Sequence, residues 1–353
     1  MKDMNKFLGV MFWWAIGDAF WAPVEFLSRW EFEPVDTKNW KIWELEYWKD
    51  FWDWTDDTAM ALLLADSLVR CWWTNIEDQL ENYLKWHNDW YMWLYDYPAW
   101  EWMQVSKMMM YYQMYKEWRI IDKPRDTDLS WNYMDGNGSL MRIGPVPLYY
   151  FNEFQDENFW VWILHDWIED AMKAAKDSCK STHYTDQCID ACVYYTWLIW
   201  NAIDRNEWDK DHLKEWLLDG NLSPVQRYWS HDHHFCNEIL PIIKWSYKNK
   251  TADEINPSWY VIETLETALW WFYHSNSFEE WLKMVVDLWW DADTTACIYW
   301  YLAWAFYWYD AIQNYLKEWL AAKDFIKHTT EELYSHKYKE YDLSLIKPIV
   351  TNK

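Results

Sequence analysis

The chain is poor in basic residues, in glycine, in long apolar runs and in paired cysteines, and each shortage narrows what it can be. Lysine and arginine number 32 against 57 aspartates and glutamates, a formal charge of −25 over 353 residues. That balance argues against nucleic acid or an anionic membrane as the main partner. It favours solubility, and any anionic substrate needs a local positive charge or a metal to hold it. No apolar run reaches the length of about 18 residues that a membrane-spanning helix needs. Lys2 and Lys6 before the apolar run 7–16 resemble the start of a signal peptide. Asp18 and Pro23 follow so closely that the segment reads instead as part of the mature protein. The six cysteines, at 71, 179, 188, 192, 236 and 297, form no CxxC pair, so a reduced, cytoplasmic protein is expected. Cys188 and Cys192 stand one helical turn apart and read as core. Alternating β-branched residues are nearly missing too, which excludes a sheet-based fold and leaves an all-α chain.

What is present in excess is aromatic: 37 tryptophans stand beside only 6 glycines. Average usage of glycine alone is about 7%, so natural proteins rarely look like this. Helices are expected over 7–29 (broken at Gly17-Asp18 and turned at Pro23), 56–72, 75–93 and 99–118. Others are expected over 157–178, 185–203, 207–218, 234–248, 258–274, 278–289 and 294–323. Residues 122–135 read as a charged loop and those beyond 329 as a polar tail. No internal repeat, linker or low-complexity block interrupts the chain. A single domain over 1–353 is expected, with its motifs between about 8 and 320 and the tail at 329–353.

Two short acidic stretches carry the chemistry. In Thr55-Asp56-Asp57-Thr58, Thr55 suits an N-cap, and both aspartates sit where a helix dipole favours negative charge. Alone, this fits a capped helix start with a solvated acidic first turn. It also fits a cation site, because adjacent aspartates repel unless something neutralises them, and hard divalent ions prefer oxygen ligands. Asp291-Ala292-Asp293-Thr294-Thr295 repeats the pattern, again just before an apolar helical run. Two such clusters can meet as one metal site. The spacing fits no EF-hand loop, whereas a binuclear centre with ions roughly 3.5–4 Å apart suits this many ligands.

Other candidates are weaker taken singly. Gly136-Asn137-Gly138-Ser139 is a turn leading into a helix, and such turns expose backbone N–H groups that suit phosphate or ribose oxygens. Most are simply turns. His183, before a helix, reads more readily as a cap or core residue than as a functional one. His231, His233 and His234 lack a partner pair at zinc spacing.

Taken together and in order, the motifs resemble those of the ADP-ribosylglycohydrolase family. Gly17-Asp18-Ala19-Phe20-Trp21-Ala22-Pro23-Val24-Glu25-Phe26 is similar to the family's GDALGAPVEF. Residues 54–58 resemble its WTDDT, and 136–142 its GNGSLMR. Thr182-His183 with Ala191-Cys192, the helix 260–270, and Asp291 to Thr295 resemble its TH…AC, YVxxTLEAALW and DADTT segments. The resemblance implies a compact, single-domain orthogonal helical bundle holding two Mg²⁺ or Mn²⁺ ions. It implies Thr55, Asp56, Asp57, Asp291, Asp293 and Thr294 as metal ligands. Glu25 and Asp57 become the catalytic carboxylates, either of which can act as the base. Asp18, Gly136, Asn137, Gly138, Ser139, Arg142 and His183 become the substrate-binding set. The reaction implied is hydrolysis of the glycosidic bond joining ADP-ribose to a protein side chain or a related small conjugate. Such a bond breaks through an oxocarbenium-like state that carboxylates stabilise.

The chain also departs from this pattern, with tryptophan where the family usually has glycine or another small residue. Trp21 lies within the first motif. Trp300, Trp304 and Trp308 form one stripe of the last long helix, where tryptophan is expected to push helices apart or overpack the core. Gly17, Gly136, Gly138 and Gly144 nevertheless remain in or beside the motifs. This pattern reads as a recoded chain with its site held fixed. Two further readings therefore stand beside the enzyme: an ADP-ribose-binding protein that no longer turns substrate over, or an artificial helical scaffold retaining the motifs.

Overall fold

A computed structural model describes residues 4–22, 53–94, 101, 103–120, 135–154, 167–204, 214, 217–218, 235–276, 280, 291–307, 314–338 and 346. The described residues form α1 (Met4–Trp21), α2 (Asp56–Cys71), α3 (Ile76–Asp89), α4 (Met103–Lys116), α5 (Pro145–Phe154) and α6 (Trp167–Cys179). They continue with α7 (Asp186–Asp204), α8 (Leu240–Ile243), α9 (Val261–His274), α10 (Ala292–Tyr307), α11 (Asn314–Trp319) and α12 (Lys323–Ser335). Among these residues the only extended pairing is an isolated bridge between Gly136 and Tyr260. The fold is all-α, as the lack of period-two alternation predicts.

The bundle is organised around α1, which is apolar on every side and buried from Phe7 to Trp21. A helix without a polar face has to be surrounded, and α10, α12 and α2 pack against it. It runs antiparallel to α10. The Trp13 and Trp300 rings stack 4.7 Å apart, Trp14 stacks on Tyr301 at 5.1 Å, and the Cys297 thiol reaches the Trp14 carbonyl. Close approach depends on Gly17, since a Cβ there would lie 2.1 Å from Trp300 Cδ1. Trp300 is thus seated over the glycine of the facing helix. Trp304 and Trp308 lie outside the described side chains.

Three sequence expectations are corrected. Gly17-Asp18 does not break the first helix, because packing against α10 outweighs the helix cost of one glycine, about 1 kcal/mol. Residues 234–248 are not one helix. The four-residue α8 is followed by Trp245 in a left-handed conformation (φ 64°) and a 3₁₀ turn. The stretch beyond 329 does not open as a loose tail: α12 runs to Ser335, with Phe325, Ile326, Thr329, Thr330 and Leu333 buried on one face. The expected elements at 207–218 and 278–289, and the histidines at 231–234, fall largely or wholly outside the described residues.

Candidate active site

Three helix ends bring the two acidic stretches together. Thr55 caps α2, its hydroxyl accepting from the Asp57 amide. Asp291 and Asp293 flank the start of α10, where the Thr294 amide donates to Asp293 Oδ1 at 2.9 Å. The Thr294 hydroxyl donates to Asp57 Oδ2 at 3.3 Å, a contact between residues 237 positions apart. The positive ends of two helix dipoles thus face one cluster of carboxylates.

The third helix end is the C-terminal part of α1, which contributes Asp18. Expected on the substrate side, Asp18 instead lies in the acidic cluster. It, Asp57 and Asp293 each offer a carboxylate oxygen, and these lie within 4.8 Å of one another. All three are buried, as are Thr55, Asp56, Asp291 and Thr294.

Such crowding disfavours the ionised forms. Burial, and then the charge of Asp293, pushes the Asp18 carboxyl up to about 6. Burial also drives Asp57 well above the usual carboxylate range, followed by Asp18, Asp293, Asp56 and Asp291. Asp291 is raised by burial and by Asp293, against the opposing hydrogen bonds of Asn137 and Thr294. Asp18 Oδ1, Asp57 Oδ1 and Asp291 Oδ1 are buried without a hydrogen-bond partner. Buried carboxylate oxygens left in this way are neutralised either by a proton or by a cation. An all-oxygen donor set of aspartates and threonines fits a hard divalent ion.

The glycine turn is tied to this centre through Asn137. Its side-chain amide donates to Thr264 on α9 at 3.1 Å and to Asp291 Oδ2 at 2.5 Å. The Asn137 backbone N–H donates to the Trp259 carbonyl, and the Val261 N–H to the Asp135 carbonyl. Ser139 is buried behind the turn with the Cys179 and Cys192 thiols against its hydroxyl.

Arg142 braces the turn from inside. It is 1% exposed and lies over the Tyr83 ring. It donates to the Gly138 carbonyl (2.9 Å), Ser181 Oγ (3.0 Å) and Thr182 Oγ1 (2.5 Å). The Thr182 hydroxyl also pairs with His183 Nδ1 at 2.7 Å. Burial, and then the charge of Arg142, hold His183 well below its ordinary pKa. The imidazole is therefore neutral, and its Nε2 lies toward the glycine turn. A Cβ at position 138 would lie 3.2 Å from that nitrogen, so glycine is what lets the ring approach the turn.

The sequence profile of the ADP-ribosylglycohydrolase family matches residues 1–342. The chain belongs to this family. It is 23% identical over 337 residues to ADP-ribosylarginine hydrolase Tri1 of Serratia proteamaculans (strain 568), covering 94% of this chain and 80% of that protein. It is 25% identical over 342 residues to the protein of the same name from Pseudomonas putida (strain GB-1), covering 94% and 79%. A solved ADP-ribosylglycohydrolase-related protein complex shares the fold, with a TM-score of 0.67 over 95% of this chain and 99% of that one at 23% identity. Family membership assigns the chain to hydrolysis of ADP-ribose conjugates. No helix among the described residues is long and apolar enough to cross a membrane.

The acidic residues singled out in the sequence converge at the helix ends, and Asn137 joins them to the glycine turn. Arg142 and His183 stand behind that turn. Glu25 lies outside the described residues. Thr58 is not among the site residues the motifs point to, yet its hydroxyl holds Asp18 at 2.6 Å. Its place in the acidic stretch, three residues after the Thr55 cap, is the only signal for it.

Proposed function

We propose that this ADP-ribosylglycohydrolase is a metal-dependent hydrolase that cleaves the N-glycosidic bond between ADP-ribose and an arginine side chain. The observation carrying the metal is the trio of buried, unpartnered oxygens on Asp18, Asp57 and Asp291. The names of the two Tri1 relatives support arginine as the linkage.

Thr55, Asp56, Asp57, Asp291, Asp293 and Thr294 would hold two Mg²⁺ or Mn²⁺ ions. Such ions, when bound, neutralise the carboxylates, fix ribose hydroxyls and lower the pKa of a coordinated water. The chain's own residues do the rest. Asp57, with Oδ1 unpartnered, or Glu25 takes a proton from the attacking water. Asn137 keeps Asp291 oriented. The backbone of the turn at Gly136, Asn137, Gly138 and Ser139 forms the wall against which the ADP-ribose lies. Arg142 and neutral His183 hold that wall from behind without presenting another charge to the diphosphate.

The test is release of ADP-ribose from peptides modified on arginine or on serine, after chelation and after re-addition of Mg²⁺ or Mn²⁺. Metal-dependent release from the arginine-linked peptide is expected. Release that chelation does not affect contradicts the metal. Release from the serine-linked peptide alone contradicts the linkage. Tight binding of ADP-ribose with no release from either peptide indicates a binding protein in place of an enzyme.

A further inference from the structure

We infer that Asp18 is a positioning residue of the cation centre: its carboxylate stands in the acidic trio with Asp57 and Asp293, and its Oδ2 fixes the first turn of α2, which carries Asp57. The inference rests on the metal-dependent reading above. Asp18 is fully buried in α1, a helix otherwise apolar over its buried length. A charge in such a place is costly unless its bonds are specific.

Those bonds are specific. Asp18 Oδ2 accepts from the Thr55 amide (2.8 Å), the Thr58 amide (3.1 Å) and the Thr58 hydroxyl (2.6 Å). All three donors belong to the cap and first turn of α2, between which lie Asp56 and Asp57. Oδ1 has no hydrogen-bond partner and is buried. No lysine or arginine among the described residues forms an ion pair with Asp18. One oxygen of the carboxylate is thus taken up in holding the turn that carries Asp56 and Asp57, which is the pattern of groups that orient metal ligands. Through α1 the carboxylate also connects the ligand turn to the Gly17–Trp300 contact, and so to α10, which carries Asp293 and Thr294.

Manganese affinity, measured by calorimetry on chelated protein, tests this in the wild type and in Asp18→Asn, Thr58→Val and Thr58→Ser. Asp18→Asn is expected to weaken Mn²⁺ binding by about 10–100-fold, the usual effect of losing a group that orients metal ligands. Thr58→Val should weaken it by several-fold, because the hydroxyl clamp is lost while the Asp18 charge stays. Thr58→Ser, which keeps the hydroxyl, should restore wild-type affinity. Circular dichroism reports whether each variant folds, and the Thr58 pair carries the test if Asp18→Asn does not. Asp18→Asn binding Mn²⁺ as tightly as the wild type would overturn the inference, as would Thr58→Val and Thr58→Ser behaving alike. Absence of Mn²⁺ binding by the wild type itself would instead sink the metal-dependent reading, and this inference with it.

Discussion

Asp57 lies among four other carboxylates, and its raised pKa has a measurable consequence. A carboxyl raised in the folded state keeps its proton to higher pH when folded than when unfolded. Folding then takes up protons between the two values, and stability falls as pH rises through that window. For Asp18 the window opens at 3.8 and closes at about 6, and for Asp57 it extends well above 3.8. Metal-free Asp57→Asn is therefore expected to melt higher than the wild type at pH 7. That gain should vanish below about pH 4, where the wild-type carboxyl is protonated whether folded or not. Calorimetry in chelator checks it, and a gain of equal size at pH 3.5 would mean that the cause is not charge. Loss of Mn²⁺ binding by the same variant is expected alongside.

Arg142 makes a contrasting prediction at this scale. Its three hydrogen bonds end on protein atoms, and Ser181, Thr182 and the Gly138 carbonyl would be left facing an apolar chain in Arg142→Met. Orphaned buried polar groups cost about 1–3 kcal/mol each, so destabilisation of at least about 2 kcal/mol is expected in urea unfolding. A variant as stable as the wild type would show that this bracing is dispensable.

Among the elements, the α1–α10 pair decides how well the site is formed. A methyl group at position 17 would meet the Trp300 ring at 2.1 Å and force the two helices apart. Gly17→Ala should cost about 1–3 kcal/mol, the usual range for overpacking a filled core. Trp300→Leu in the same chain should recover part of that loss. Thermal unfolding of both singles and the double variant gives the coupling, and strictly additive effects would contradict direct contact.

The elements also show where sequence alone can be read. The Thr55 cap and the α2 start were legible because a cap is decided within four residues. The first helix was misread at Gly17 because glycine's local cost was visible in the sequence and the ring packed over it was not. Residues 234–248 carry a helical pattern of apolar positions, yet the chain turns at Trp245 through a left-handed conformation that pattern does not register. At the other end, the helix expected over 294–323 stops where α12 begins, and α12 is missed because its charged face hides the stripe from Phe325 to Leu333. In the site, the acids were legible as types at helix starts. The partners of Asp18 were not, since they depend on how α1 lies against α2, and Arg142 shows no sign in sequence of being turned inward.

At the scale of the whole molecule, a charge of −25 opposes the approach of a diphosphate. The second-order rate for a small ADP-ribose conjugate is expected to rise with salt between about 10 mM and 150 mM, as screening shortens the field from about 30 Å to about 8 Å. A highly cationic, arginine-rich carrier peptide should show the reverse. Steady-state kcat/KM against ionic strength for the two substrates checks this, and equal slopes would deny the net charge a part in substrate capture.

Carboxylates from three helix ends meet in one buried cluster, and the proposed function needs cations there. Diffraction from crystals soaked in Mn²⁺, recorded at the manganese absorption edge, tests that most directly. Anomalous density among Asp18, Asp57 and Asp293, extending toward Asp56 and Asp291, is the result predicted. Manganese found only at surface carboxylates, with that cluster empty, would contradict it.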